Sequence, residues 1–159
     1  IKWPNDIYAG AGKISGILCE CVISADNKVA GIVAGMGINI NLSEETISSI
    51  DQPAASLKSL TKRDHNISGI VKDLCAALES NYIKYKNSPL ELFSLWKSEN
   101  YLIGKEVDLD SPDNTSWRGR VVDISDEGEL LVENLAAGCV IKFSCGDIRI
   151  RKGSIPPLV

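Results

Sequence analysis

The sequence is poor in the residues that build metal sites. His65 is the single histidine, and none of the five cysteines belongs to a Cys-x-x-Cys pair. Structural zinc sites combine four Cys or His ligands at short spacings. Cys19 and Cys21 share a strand face, but no second pair of ligands accompanies them. An odd number of scattered cysteines is typical of free thiols in a reducing compartment. We therefore expect a cytoplasmic protein in which Cys19 and Cys21 form a buried thiol pair.

The chain also lacks long apolar runs and clusters of basic residues. No segment approaches the roughly 20 apolar residues of a membrane-spanning helix, and none has the shape of a signal peptide. The formal net charge is −4, and charged residues make up 24% of the 159 residues. Without a basic run, the chain has no electrostatic footprint for nucleic acid. We expect one or two small globular domains that bind neither membrane nor DNA.

Two common phosphate-binding motifs are absent from the loop Ala9–Lys13. The G-x-x-x-x-G-K-[ST] loop would need glycine at position 7 and Ser or Thr at position 14, where the chain has Ile7 and Ile14. A G-x-G-x-x-G motif starting at Gly10 would need glycine at position 15, where Ser15 stands. Taken alone, a lysine after a glycine loop is a solvated surface residue.

An unusual hairpin lies near the start of the chain. Residues 13–23 and 28–41 have strand composition on either side of a polar turn at 24–27, which predicts an antiparallel pair. Successive strand side chains point to opposite faces. One face of the second strand is a core stripe: Ala30, Ile32, Ala34, Met36, Ile38 and Ile40. The other face carries Gly31, Val33, Gly35, Gly37, Asn39 and Asn41. Glycine inside a strand often marks close approach to the backbone, so this glycine floor predicts a binding surface for a flat polar ligand.

The rest of the chain predicts helices and then short strands. Short helices are expected within 43–60, with Ser43 as an N-cap, and a long amphipathic helix over 66–86 has a regular apolar face typical of core packing. A further helix starts with the capping box Ser88–Glu91. From about residue 103, five short strands predict a small SH3-like β-barrel. The fold class is therefore α/β, a mixed sheet backed by helices (1–101), followed by a barrel domain (102–159).

Three motifs in the first 41 residues resemble the catalytic core of biotin–protein ligases. They are Lys2-Trp3-Pro4-Asn5-Asp6, then Lys13-x-x-Gly16-Ile17-Leu18-x-Glu20, then Gly35-x-Gly37-Ile38-Asn39-x-Asn41. The order and spacing of the three are far more specific than any one of them. Lipoate ligases share the Asn-Asp turn and the downstream lysine, but the preceding Trp-Pro pair is more typical of the biotin family.

The resemblance implies a two-step reaction with biotin and ATP as substrates and Mg²⁺ as the accompanying metal ion. Biotin is first activated to biotinyl-5′-AMP, and a lysine of a biotin carboxyl carrier protein then takes the biotinyl group. Lys13 corresponds to the family's catalytic lysine, and a compact ammonium suits the negative charge on carboxylate and phosphate. The resemblance also implies biotin contacts by Lys13, Gly16, Gly35 and Gly37. It implies nucleotide contacts by Lys2, Asn5 and Asn39, and a metal contact by Asp6.

Two features depart from the family pattern. A basic residue usually precedes the matched lysine, whereas this chain has Gly12, which we expect to loosen the loop. The family's glycine- and arginine-rich loop over the adenylate lies upstream of Trp3, so the chain is expected to be a fragment lacking that part of the pocket. The alternatives are a lipoate-type ligase and a non-catalytic module that binds biotin or a partner. An exposed strand edge is compatible with a homodimer.

Overall fold

A computed structural model describes residues 1–10, 12–110, 115–144 and 149–150, the last two as backbone only. Two compact units divide the chain: one comprises residues 1–4 and 79–159, and the other Asn5–Leu78. The elements in chain order are β1 (Asp6–Ala9), β2 (Gly12–Ile23), β3 (Val29–Ile38), α1 (Glu44–Ser49), α2 (Leu57–Thr61), α3 (Ile67–Asn87), α4 (Pro89–Ser98), β4 (Glu106–Asp110), β5 (Ser116–Ile124), β6 (Leu130–Asn134), β7 (Cys139–Phe143) and β8 (Arg149–Ile150).

The predicted hairpin is confirmed as β2 and β3, which pair antiparallel. In its turn the Ser24 amide donates to the Lys28 carbonyl at 2.8 Å. Asn27 adopts the left-handed conformation (φ 60°), which asparagine tolerates better than most residues. Strand β1, which the sequence did not predict, pairs antiparallel with β2. A mixed sheet contains parallel as well as antiparallel pairing. Within the described residues, the parallel pairing is a bridge between Lys13 and Ala54.

The first half of the apolar stripe of the hairpin, through Ala34, is exposed to solvent, contrary to the expected core, whereas Met36, Ile38 and Ile40 are half-buried. Ile32 is 65% exposed, and Ala34 is also exposed. Cys19 and Cys21, which lie opposite this part of β3, are exposed free thiols, so the predicted buried thiol pair is wrong for this chain. Strand alternation determines which side chains share a face, but whether another layer covers that face depends on tertiary packing.

The helices begin where their caps predict, with one exception. Ser43 accepts a hydrogen bond from the Thr46 amide at 3.1 Å. Asn66 accepts one from the Gly69 amide at 3.3 Å at the start of α3. Pro89 opens α4 as expected, but Ser88 makes no side-chain capping bond. Because the ψ of Ser88 is 65° rather than extended, its hydroxyl is not presented to the first turn, so the predicted capping box is wrong.

Helix α3 matches the predicted span within one residue at each end, but its expected core role is wrong. No residue of α3 is buried, and its apolar side chains are about half exposed, with Val71 at 48% and Leu78 at 52%. The division between the two units falls within this helix, between Leu78 and Glu79. An amphipathic period specifies an apolar face, and it does not specify what covers that face.

The C-terminal unit is an antiparallel sheet with the strand order β7-β6-β5-β4-β8. Within the described residues the sheet does not close on itself, and its five short antiparallel strands agree with the expected SH3-like domain. Its core consists of fully buried aliphatic residues: Leu102, Leu109, Val121, Ile124, Leu130 and Val132. Glycines occupy the predicted turns, with φ of 85° at Gly128 and 67° at Gly138.

The first residues of the chain belong to this same unit. Trp3 is only 4% exposed, and its indole nitrogen donates to the Gly128 carbonyl at 2.9 Å. The Tyr101 amide donates to the Ile1 carbonyl at 3.0 Å. The motif that begins at Lys2 is thus tied at its start to the C-terminal sheet. Among the described residues, no helix combines the length and apolarity needed to cross a membrane.

Candidate functional site

A cavity of about 510 Å³ opens beside the start of β2 and the end of β3. It brings together four of the residues singled out from the sequence: Lys13, Gly16, Gly37 and Asn39. Its remaining lining residues are Ser15, Ile38, Ile50, Gln52 and Ala54. Strand pairing explains the first group, because β2 and β3 run antiparallel with Gly16 directly opposite Gly37.

The glycine floor is open. A Cβ placed on Gly37 or on Gly31 would meet no atom within 4 Å, and one on Gly35 would meet only the Leu18 carbonyl at 3.7 Å. The backbone at these positions can therefore be approached closely by a flat group. Gly35 pairs with Leu18, one step beyond the cavity, so the structure brings Gly16 and Gly37 to the cavity but not Gly35.

The Lys13 ammonium is paired at the edge of this floor. Its Nζ lies 2.6 Å from Asp6 Oδ1, and the two side chains are 27% and 20% exposed. A Cβ on Gly16 would lie 2.9 Å from the same Nζ and 3.3 Å from Asp6 Oδ1. Gly16 thus leaves the room in which the ammonium and the carboxylate meet. Lys13 also lines the cavity, so an anionic group that enters it can contact the ammonium beside Asp6.

Asp6 was predicted to contact a metal ion, and the structure makes it the partner of Lys13. Magnesium held with nucleotide phosphates needs only one or two carboxylates from the protein. Within the described residues, no group of three or more His, Cys, Asp or Glu side chains is placed to hold a metal ion. The donor set fits one carboxylate contact to a phosphate-held Mg²⁺, and the metal role of Asp6 remains a prediction.

Tyr8 lies across the strand pair from Lys13. Burial and, secondly, the nearby Asp6 carboxylate raise the pKa of Tyr8 above its ordinary value. Both causes disfavour the phenolate, so the side chain is neutral at physiological pH. Of the two neighbours Asp6 and Tyr8, therefore, Asp6 carries a negative charge beside Lys13 and Tyr8 does not.

Two hydrogen bonds to backbone carbonyl groups hold the side chain of Asn39 in place. Its Nδ2 donates to the Lys13 carbonyl at 3.3 Å and to the Ala55 carbonyl at 3.1 Å. Both donor hydrogens of the amide are therefore used, which fixes the orientation of the group. No hydrogen bond from the described residues reaches Oδ1, so the side-chain oxygen of this cavity-lining residue remains available as an acceptor.

The other two predicted nucleotide contacts are not cavity residues. Asn5 makes a short hydrogen bond from Nδ2 to the Ile17 carbonyl, which fastens the turn before β1 to strand β2. Lys2 belongs to the unit of residues 1–4 and 79–159. The nucleotide roles of both residues remain predictions.

The sequence missed the contribution of residues 50–54. Ile50, Gln52 and Ala54 line the cavity, whereas the sequence predicted only short helices within 43–60. Residues 50–54 reach the site because this segment pairs with Lys13, more than 35 residues earlier in the chain. Pairing between such distant residues produces no local sequence pattern. A breaker at Pro53 between two helices was the only indication of an irregular segment.

A second cavity of about 510 Å³ lies between the end of α3 and the start of α4. Its lining includes Lys84, Glu91 and Leu92. None of the residues predicted to bind biotin, nucleotide or metal takes part in it. The cavity at Lys13 is therefore the candidate functional site.

Comparison with known proteins gives two family matches. The Biotin/lipoate A/B protein ligase family matches residues 1–39, and the Biotin protein ligase C terminal domain matches residues 102–149. Together the two matches cover more than half of the 159 residues. The first match contains Lys13, Gly16, Gly37 and Asn39, and it ends at Asn39.

Curated relatives agree with these matches. The biotin--[acetyl-CoA-carboxylase] ligase of Mycobacterium tuberculosis is 29% identical over 148 residues, which are 93% of this chain and 52% of that protein. The bifunctional ligase/repressor BirA of Bacillus spizizenii is 31% identical over 137 residues, covering 84% of this chain and 41% of that protein. The chain thus spans about half the length of the curated relatives it matches.

Solved structures show the same likeness in three dimensions. The apo biotin protein ligase of Aquifex aeolicus matches with a TM-score of 0.73 and 26% identity, over 96% of this chain and 65% of that one. The complex of that enzyme with biotin and ATP matches with a TM-score of 0.71 and 25% identity, over 96% and 62% of the two chains. By family match, curated relatives and solved structures alike, the chain belongs to the biotin protein ligase family.

Proposed function

We propose that this chain forms part of an ATP-dependent biotin–protein ligase and carries the lysine side of its active site. In the first step a biotin carboxylate oxygen attacks the α-phosphorus of ATP, biotinyl-5′-AMP forms, and pyrophosphate leaves. In the second, the uncharged amine of a carrier-protein lysine attacks the acyl carbon and AMP leaves. The observation that carries the proposal is the partly buried Lys13 ammonium, which lies over Gly16 beside the open backbone at Gly37.

Lys13 acts in this proposal as a fixed positive charge for the adenylation step. Negative charge builds on the carboxylate and the α-phosphate as they meet, and a preorganised cation stabilises that charge without moving. Asp6 holds the ammonium at 2.6 Å and so keeps it at the cavity edge. Mg²⁺, bound mainly by the phosphates, supplies further charge neutralisation.

The glycine floor gives the flat parts of the ligand a place to lie. Gly37 presents bare backbone, and Gly16 directly opposite leaves the room for the Lys13 ammonium, so a planar ring system can contact the peptide groups at Gly37 beside the charge. Gly35 extends the same face by one strand step. We assign biotin contacts to these three glycines and to Lys13.

Asn39 is assigned to the base of the nucleotide. Because both donor hydrogens of its amide are used by the Lys13 and Ala55 carbonyls, the side chain offers an acceptor. An acceptor favours the 6-amino group of adenine over the 6-keto group of hypoxanthine or guanine. ATP should therefore support adenylate formation far better than ITP, and equal rates with both would contradict this assignment.

Two observations favour biotin over lipoate as the substrate. The match at residues 102–149 is to a C-terminal domain named for biotin protein ligases, and the Mycobacterium tuberculosis relative and the Aquifex aeolicus structures are named for biotin. The N-terminal match covers both substrate types. The experiment is exchange of labelled pyrophosphate into ATP by the full-length protein that contains this chain. Exchange that depends on biotin supports the proposal, whereas exchange with lipoate alone identifies the lipoate-type ligase. Biotin binding without exchange would identify a non-catalytic module.

The partner in the second step is a biotin carboxyl carrier protein. Arg118 and Arg120 are basic residues that could meet an acidic carrier, but they form ion pairs within the sheet: Arg120 with Glu106 at 3.1 Å and with Glu133 at 3.6 Å, and Arg118 with Glu106 at 3.4 Å. Their charge is thus largely balanced, and carrier docking needs another surface. The C-terminal domain match begins at residue 102, which supports a functional division into residues 1–101 and 102–159.

Two further assignments complete the proposal. We place the reaction in the cytoplasm, where the four cysteines of the described part would remain free thiols, as they are here.

A homodimer is compatible with the position of β3 at the end of the three-stranded sheet, where its outer edge can accept another strand. Analytical ultracentrifugation of the full-length protein with and without biotin and ATP tests the dimer.

A further inference from the structure

The main chain of Lys13 is held on one side by a segment that no sequence motif includes. The Lys13 amide donates to the Pro53 carbonyl at 2.9 Å, and the Lys13 carbonyl accepts from the Ala55 amide, also at 2.9 Å. The same carbonyl accepts from Asn39 Nδ2 at 3.3 Å. Both hydrogen-bonding groups of the lysine backbone are therefore committed to residues 39 and 53–55.

Gly12 makes this approach sterically feasible. It is buried, and a Cβ at this position would lie 2.5 Å from the Ala54 carbonyl carbon, 2.6 Å from the Ala54 oxygen and 2.7 Å from the Ala55 nitrogen. These are backbone atoms, which cannot rotate away as the end of a long side chain does. A basic residue at position 12 would push residues 53–55 off Lys13. The glycine thus tightens this contact, and the expectation that it loosens the loop is corrected.

The segment that grips Lys13 is itself firmly held. Ala55 is 7% exposed and Ser56 is fully buried. The Ser56 hydroxyl donates to the Leu42 carbonyl at 3.0 Å and accepts from the Ser59 amide at 3.0 Å as the cap of α2. The Leu57 amide donates to the Asn39 carbonyl at 3.0 Å. Residues 53–55 are therefore a rigid support rather than a flexible loop.

We propose that Gly12, Asn39 and Pro53–Ala55 form a backbone clamp that positions the Lys13 ammonium at the cavity. These residues act through Lys13 and are positioning residues. Asn39 then has two tasks, since one amide both grips the Lys13 carbonyl and offers its oxygen to the cavity. The clamp itself is a property of this chain, and its effect on catalysis rests on the proposed adenylation.

The clamp is tested without activity by NMR on this chain. The ¹³Cγ resonance of Asp6 reports whether the Lys13 ammonium is in place, and Lys13→Ala supplies the value for a missing partner. Gly12→Ala should move this resonance clearly towards that value. Gly31→Ala is the matched control, because a methyl group there meets nothing within 4 Å, and it should leave the resonance at its parent position. An unchanged Asp6 resonance in folded Gly12→Ala would overturn the proposal.

A second variant decides the question if Gly12→Ala does not fold. Asn39→Ala removes one hydrogen bond to the Lys13 carbonyl and leaves the contact at Gly12 intact. The Asp6 resonance should move in the same direction by a smaller amount, with the circular dichroism of the parent retained. A folded Asn39→Ala chain with the parent resonance would contradict the clamp.

The consequence for catalysis is tested by a double-mutant cycle in the full-length protein. A displacement of the ammonium by about 1 Å should lower the rate of adenylate formation on the order of ten- to a hundredfold in Gly12→Ala. In the Lys13→Ala background the same change should cost nothing further, because the group it positions is gone. Losses that multiply would show that Gly12 acts on general stability instead. If the parent protein forms no adenylate while the NMR result holds, the proposed function fails and the clamp stands.

Discussion

Replacing Lys13 with alanine separates a catalytic role of its ammonium from a structural one. Loss of one preorganised charge donor typically costs about 3–4 kcal/mol of transition-state stabilisation, which is roughly a 10²- to 10³-fold loss of rate. The structural cost is smaller. The Lys13–Asp6 pair is partly exposed, at 27% and 20%, so water screens it and can hydrate Asp6 when the lysine is gone. We expect a stability loss of about 1 kcal/mol.

The assay measures both quantities on the same variant. Single-turnover formation of biotinyl-5′-AMP gives the rate, and thermal unfolding gives the stability, where about 1 kcal/mol corresponds to roughly 2–4 °C for a domain of this size. Lys28→Ala is a matched control, because Lys28 forms an equally close pair with Asp26 (2.7 Å) on the exposed hairpin turn. The control should keep the parent rate and nearly the parent midpoint.

The result that would refute the reasoning is the reverse pattern. If Lys13→Ala lowers the midpoint by 10 °C or more, which is roughly 3 kcal/mol or more, and adenylate still forms at the parent rate, the ammonium is a structural group. A Lys28→Ala protein with an equal rate loss would show that distant surface charge, rather than the local cation at the cavity, controls the reaction.

Three further outcomes follow from the described contacts. Asp6→Asn removes the charge that holds the ammonium and should slow adenylation. A loss that is equal at all Mg²⁺ concentrations assigns Asp6 to Lys13 alone, partial recovery at high Mg²⁺ supports its predicted metal contact as well, and an unchanged rate would contradict both roles. Gly16→Ala places a methyl group 2.9 Å from Lys13 Nζ, the mobile end of a side chain. It should weaken biotin binding in calorimetry while lowering stability by less than about 1 kcal/mol; unchanged biotin affinity would count against the floor. The hydrogen bond from Lys97 lowers the pKa of Asp123. The pair should therefore stabilise the fold above about pH 4 and lose that contribution as the pH falls through the lowered pKa. Urea unfolding as a function of pH should show this loss, and Lys97→Met should abolish it.

The local elements of the fold were accessible from sequence because they depend on neighbouring residues. Alternation along residues 29–38 specified which side chains share a face, and the caps at Ser43 and Asn66 marked the starts of α1 and α3. The Ser88 capping box failed because the ψ of that residue, rather than its type, decides whether the hydroxyl reaches the first turn. Sequence periodicity specified the apolar face of α3 but could not say what, if anything, covers it.

The candidate site also has a part that could be found from the sequence and a part that could not. Its glycines and Lys13 were found from sequence, since strand pairing alone brings Gly16 opposite Gly37. Asp6 was found as a polar turn residue, but its pairing with Lys13 follows from the alignment of β1 on β2, which includes an irregularity at Ile7/Tyr8. A one-residue change in such pairing moves a side chain to the other face. The role of Asp6 beside the ammonium could not be read from its position in the chain.

The sequence by itself determined the glycine floor, the lysine at its edge and the family to which these motifs belong. Only the tertiary structure decided how that lysine is held, because the contact of residues 53–55 with Lys13 joins segments about forty residues apart. A backbone hydrogen bond between distant segments requires no particular side chain, and only the buried Gly12 records it in the sequence. The physical reason is that two backbones can pack this closely only where no side chain lies between them.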